Sequence, residues 1–107
     1  MDDFVKVASV TDIPPGGRII VRLPEEDLPV AVFNVNGELY CMADECTHDG
    51  GPVAEGELDG HVIECPRHGA RFDIRDGRVL AFPAITPVDT FEVKVEGEDV
   101  LVRQTPR

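Results

Sequence analysis

Val30-Ala31-Val32-Phe33-Asn34-Val35-Asn36-Gly37-Glu38-Leu39-Tyr40-Cys41-Met42 sets two runs rich in β-branched, aromatic and other apolar side chains on either side of Asn36-Gly37. Asn-Gly tolerates the two positive φ angles that a two-residue hairpin turn requires, so the stretch predicts an antiparallel hairpin. Further along, Phe91-Glu92-Val93-Lys94-Val95-Glu96 alternates apolar and charged residues with period two. It passes through Gly97-Glu98 into Asp99-Val100-Leu101-Val102, a second expected hairpin. Shorter strands are expected at 4–8, 18–23, 61–64, 71–74 and 78–80, with Asp59-Gly60 and Asp76-Gly77 as turns. Apolar positions almost nowhere recur at helical spacing, so helix content is expected to be very low. Many short strands at close spacing predict an all-β antiparallel sandwich or barrel.

The 107 residues suffice for a single domain and exclude a large catalytic one. Ten Gly and nine Pro agree with many turns, and 42% hydrophobic with 29% charged residues describes a globular chain. Twenty-one acidic against ten basic residues give a net charge of −11, which repels phosphate backbones and anionic lipid. Nucleic acid and membrane are therefore not expected partners. No apolar stretch approaches the roughly 18 residues of a membrane span, and the acidic start MDDFVKV lacks a signal peptide's basic and apolar regions. A cytoplasmic protein is expected. Cys41, Cys46 and Cys65 are too few, and odd in number, for a disulfide framework, and cytosolic thiols stay reduced, so metal binding is their expected use.

The segment 44–70 is rich in Gly, acidic residues, Cys and His and poor in large apolar side chains, so it is not expected to build a core of its own. A bound metal is the obvious organiser. It contains Cys46-Thr47-His48 and Cys65-Pro66-Arg67-His68, separated by the 16 residues from Asp49 to Glu64. Two tight loops that each aim a thiolate and an imidazole at one point suit either tetrahedral zinc or a [2Fe-2S] centre with two Cys on one iron and two His on the other. Composition does not choose between them. Zinc modules more often pair Cys with Cys and His with His, whereas each loop here offers one of each.

Cys-x-His, 16 residues and Cys-x-x-His resembles the signature of Rieske iron–sulfur proteins. With Cys65-Pro66-Arg67-His68-Gly69, the following Phe72-Asp73 and the intervening Gly56-Glu57-Leu58-Asp59-Gly60, the chain is similar to Rieske-type ferredoxins serving bacterial aromatic-ring dioxygenases. The resemblance implies an all-β Rieske fold over residues 1–107 with a cluster-binding subdomain at about 43–84. It implies one [2Fe-2S] cluster with Cys46 and Cys65 on one iron and His48 and His68 on the other. Phe82-Pro83-Ala84 matches the third, proline-containing loop that covers the cluster. The His48/His68 edge is the expected exit for the electron.

Respiratory Rieske proteins carry two further cysteines that join the cluster loops, and here Gly51 and Arg67 stand in their places. Those proteins also place Ser and Tyr hydroxyls near cluster sulfur, where this sequence has Ala70 and Phe72. Hydrogen bonds to sulfur stabilise the reduced state, so a potential at the lower end of the Rieske range of about −150 to +300 mV is expected. The implied function is one-electron transport, and the resemblance implies an NAD(P)H-dependent reductase as donor and a terminal oxygenase as acceptor. A monomer without catalysis of its own is expected, since no Ser/His/Asp set, phosphate-cradling loop or nucleotide fingerprint is visible. The small Rieske-like subunit of nitrite reductase and a zinc-stabilised interaction module remain the alternatives.

Other residues have plainer expectations. Cys41 shares a strand face with Leu39 and is expected to be a packed thiol, and His61 a turn or surface residue. Arg67 either favours the reduced cluster or a partner through its charge, or is simply solvated. The acidic residues, including Glu25, Glu26, Asp27, Asp44, Glu45, Asp49, Glu55, Glu57, Asp59 and Glu64, form either a steering surface for less acidic partners or a solubilising coat.

Overall fold

The Asn36-Gly37 hairpin forms as expected in the computed structural model of the protein, which describes residues 3–24, 28–47, 51–67, 69–82 and 84–106. The strands are β1 (Phe4–Ser9), β2 (Arg18–Leu23), β3 (Leu28–Val35), β4 (Glu38–Ala43), β5 (Leu58–Asp59) and β6 (Val62–Glu64). They continue with β7 (Arg71–Asp73), β8 (Val79–Ala81), β9 (Thr90–Phe91), β10 (Val93–Glu96) and β11 (Asp99–Arg103). A single 3-10 turn, Val10–Asp12, is the helical element among the described residues, and none of their helices is long and apolar enough to cross a membrane. The all-β antiparallel expectation holds.

At the turn, Asn36 has φ 54° and Gly37 φ 93°, and the register closes at Val35↔Glu38. The buried Asn34 amide supports it: Oδ1 accepts the Gly37 N–H at 2.8 Å and Nδ2 donates to the Ile13 carbonyl at 2.7 Å. From Val30 to Asn34 every residue of β3 is buried, so both faces of this strand are covered. It lies inside a four-stranded sheet of order β2-β3-β4-β9. A three-stranded sheet, β1-β11-β10, and a four-stranded one, β5-β6-β7-β8, complete the fold.

One expectation is corrected. The period-two run 91–96 is not one strand: Thr90–Phe91 pairs with β4, whereas Val93–Glu96 pairs with β11. The chain changes sheets at the exposed Glu92, whose carbonyl accepts the Arg103 N–H at 2.9 Å, and alternation alone does not mark such a crossing. The segment 44–70 packs into the common core: Cys46, Val53, Ala54, Ile63, Cys65 and Ala70 share one buried cluster with Phe33, Phe72 and Phe91.

The third sheet is fastened at two points. The nearly buried Asp73 carboxylate receives Arg75 through Nε at 3.0 Å and Nη2 at 2.8 Å, and Arg78 through Nη2 at 3.1 Å. The Arg75 hydrogen bonds, helped by the charge of both arginines, hold this acid down at about 2 despite its burial. Elsewhere Gly77, at φ 78°, bonds through its carbonyl to the Val88 N–H at 2.9 Å. A Cβ on Gly77 would lie 1.9 Å from the Val88 carbonyl oxygen, so any side chain must part the two segments.

Two outcomes follow. Gly77→Ala is expected to cost about 3 kcal/mol in urea unfolding, against about 1 kcal/mol for Gly97→Ala, which shares the positive φ but faces open space. Because folding lowers the Asp73 pKa from 3.8 to about 2, its contribution is present above the unfolded value and lost as pH falls through the folded one. Unfolding midpoints measured between pH 5 and about pH 2 should therefore fall less steeply in Asp73→Asn than in the parent chain.

Candidate metal centre

Cys46 follows β4 and Cys65 follows β6 directly, and both are buried, at 0% and 1% exposure, within the same apolar cluster. Neither is in a disulfide. Their loops close alike. The Cys46 N–H donates to the Gly51 carbonyl at 2.7 Å, and the Cys65 N–H donates to the Ala70 carbonyl, also at 2.7 Å. Each cysteine thus bonds to the residue five positions on, which makes two closed turns with a thiol at the start of each. Gly69, at φ 77°, donates back to the Cys65 carbonyl at 3.0 Å and permits the second turn its tightness. His48 and His68, expected to lie within these turns, fall outside the described residues. Among the described residues no group of three or more Cys, His, Asp or Glu gathers to hold a metal.

The connection between the turns is gripped from both sides. Asp44, at the end of β4, is buried, and its Oδ1 accepts the N–H groups of Val53 at 2.9 Å and Ala54 at 2.8 Å. From β2, Arg18 Nη1 donates to the carbonyls of Ala54 and Gly56, both at 2.6 Å. Gly56 then presses against the end of β6: a Cβ there would lie 1.6 Å from the Glu64 carbonyl oxygen. Only glycine fits, and the contact sits one residue before Cys65. Asp44 is therefore not part of an acidic surface, as its sequence neighbours had implied. Glu45, Glu55, Glu57 and Asp59 are exposed, and Glu64 pairs with Arg71 at 3.0 Å. Residues 25–27 and Asp49 lie outside the described residues.

A third loop joins the same end. Thr47 Oγ1 donates to the Thr86 carbonyl at 2.5 Å, and the pairing Arg71↔Ala81 makes Phe82 leave its strand beside the end of the Cys65 turn. Phe82 and Ile85 are 81% and 78% exposed, whereas Ala84 is buried; Pro83 lies outside the described residues. Sequence reasoning missed Arg18, Thr47, Thr86 and Ile85. Only the position of Thr47 between Cys46 and His48 offered a signal. Away from this end, Cys41 is buried between Val32 and Phe91 on neighbouring strands, and desolvation pushes its thiol up to about 12. It is a packed thiol, as expected. His61 stands edge-on to Tyr40, with ring centroids 5.4 Å apart.

Residues 3–92 match the model of the Rieske [2Fe-2S] domain. The chain belongs to the Rieske [2Fe-2S] family. This Rieske chain is 42% identical over 99 residues to the ferredoxin component of biphenyl 2,3-dioxygenase from Rhodococcus jostii RHA1, covering 92% of this chain and 91% of that one. It is 34% identical over 101 residues to the ferredoxin component of the naphthalene 1,2-dioxygenase system of Pseudomonas aeruginosa, covering 94% and 95%. Among solved structures, the ferredoxin of carbazole 1,9a-dioxygenase from Nocardioides aromaticivorans IC177 superposes with a TM-score of 0.90 at 28% identity, over 97% of this chain and 100% of that one. A chain from a complex of reduced oxygenase and oxidized ferredoxin in carbazole 1,9a-dioxygenase reaches 0.91 at 34% identity, over 100% and 98%. The cofactor of this Rieske protein is one [2Fe-2S] cluster, which decides between the cluster and zinc. Two buried thiols outside any disulfide, each opening a closed turn, fit its thiolate half.

Removing the carboxylate that grips the connection leaves two buried N–H groups without an acceptor. Asp44→Ala is expected to lower stability by about 3 kcal/mol, and Asp44→Asn, which keeps a carbonyl oxygen, by about 1 kcal/mol, both read by denaturant unfolding.

Proposed function

We propose that this Rieske protein is the ferredoxin component of an aromatic-ring-hydroxylating dioxygenase system. It works as a cytoplasmic monomer between an NAD(P)H-dependent reductase and a terminal oxygenase. The observation that carries the reading is the pair of closed turns that start at buried Cys46 and Cys65, in a chain whose relatives are named ferredoxin components of such systems. Cys46 and Cys65 would hold one iron, and His48 and His68 the other. When bound, the cluster supplies a one-electron couple.

The chain's own residues set the conditions for that couple. Ala70 and Phe72 are fully buried and carry no hydroxyl, so they offer no side-chain donor to cluster sulfur. A net charge of −11 further opposes the addition of an electron. Both effects favour a low potential, suited to a relay that passes electrons onward. Phe82 and Ile85 give a partner an apolar landing beside the thiol-bearing turns, and the acidic excess of the chain favours a partner face that is basic or less acidic.

Two measurements test this. In stopped flow, the reduced protein should be reoxidised by a terminal oxygenase of the biphenyl type, and the rate should fall several-fold between low and high salt as the charges are screened. Absence of transfer contradicts the function, and a salt-independent rate contradicts the electrostatic part. Ala70→Ser should raise the midpoint potential by about 20–60 mV, the worth of one ordinary hydrogen bond to the reduced state.

A further inference from the structure

Arg67 belongs to the Cys65 turn but makes its contacts on the other one. Its Nη1 donates to the Pro52 carbonyl at 2.5 Å, a charge-assisted bond. The guanidinium also lies so close to Gly51 that a Cβ at that position would stand 2.8 Å from Nη2 and 2.9 Å from Cζ. Gly51 in turn accepts the Cys46 N–H through its carbonyl at 2.7 Å. One connected path therefore runs from the residue two positions beyond Cys65, through the backbone of Gly51 and Pro52, to the amide of Cys46.

A side chain that is merely solvated needs no glycine to sit on. The absence of a Cβ at position 51 is what admits the guanidinium, and its planar shape lets it approach a backbone while a second nitrogen reaches the next carbonyl. We propose that Arg67 is a positioning residue of the cluster site, braced on Gly51 and Pro52, which holds the Cys65 turn against the Cys46 turn by a non-covalent cross-link. The proposal rests on the assignment of Cys46 and Cys65 as ligands. It gives Arg67 a role distinct from both expectations formed from the sequence, in which its charge acted on the cluster or on a partner, or did nothing.

The test is a double-mutant cycle on the holo-protein. Arg67→Gln removes the charged donor. Gly51→Ala dislodges the guanidinium, because the end of a long side chain yields more readily than backbone. Each single variant should speed the loss of the visible cluster absorption under a chelator by about tenfold, and should raise hydrogen exchange in peptides containing the Cys46 amide by a similar factor. Since both act on one contact, the double variant should be no worse than Arg67→Gln alone. Additive effects, or parental exchange in Arg67→Gln, overturn the brace. Faster exchange with unchanged cluster loss overturns its role in holding the cluster. Failure of the ligand assignment is told apart by Cys46→Ser, which would then keep the cluster whatever the residue at 67.

Discussion

Everything at the end of the fold that carries Cys46 and Cys65 depends on a buried carboxylate holding backbone that has no strand to pair with. Asp44 accepts the N–H groups of Val53 and Ala54, and Arg18 donates to the carbonyls of Ala54 and Gly56. Between them they satisfy four backbone polar groups of a connection that ladder hydrogen bonds do not reach. The grip comes from β4 on one side and β2 on the other, so the four-stranded sheet dictates where the connection lies. Gly56 passes that placement to Cys65 by direct contact with the Glu64 carbonyl.

What the sequence reveals, and what it conceals, follows from the range of the interactions. Asn36-Gly37 announces its hairpin because the φ requirement is local to two residues. Cys46, His48, Cys65 and His68 stand out because their residue types and spacing are rare outside metal chemistry. Asp44 was misjudged because it sits among Glu45 and Asp49, and only the distant Val53 and Ala54 make it a buried acceptor. Arg18 lies 36 positions from Ala54, and nothing near it in sequence hints at that contact. The crossing at Glu92 was hidden for a similar reason: both halves of 91–96 alternate, and only their different partners, β4 and β11, separate them.

The thiols illustrate how position decides chemistry. Cys41 lies mid-strand between paired neighbours, where burial without a compensating charge raises its pKa and keeps it inert. Cys46 and Cys65 are as deeply buried, but each opens a closed turn at one end of the sandwich. There Thr47 ties the third loop to the Cys46 turn, and that loop carries the exposed Phe82 and Ile85, so a cluster held by the proposed ligands would lie close to surface that a protein partner can reach.

The proposed low-potential Rieske cluster in these turns can be tested in the purified protein. The most direct measurement is the low-temperature electron paramagnetic resonance spectrum of the dithionite-reduced protein, with the midpoint potential taken in the same titration. A rhombic signal of low average g and a negative midpoint are expected. A silent sample containing stoichiometric zinc, or a Rieske signal whose midpoint lies at the positive end of the range, would contradict the proposal.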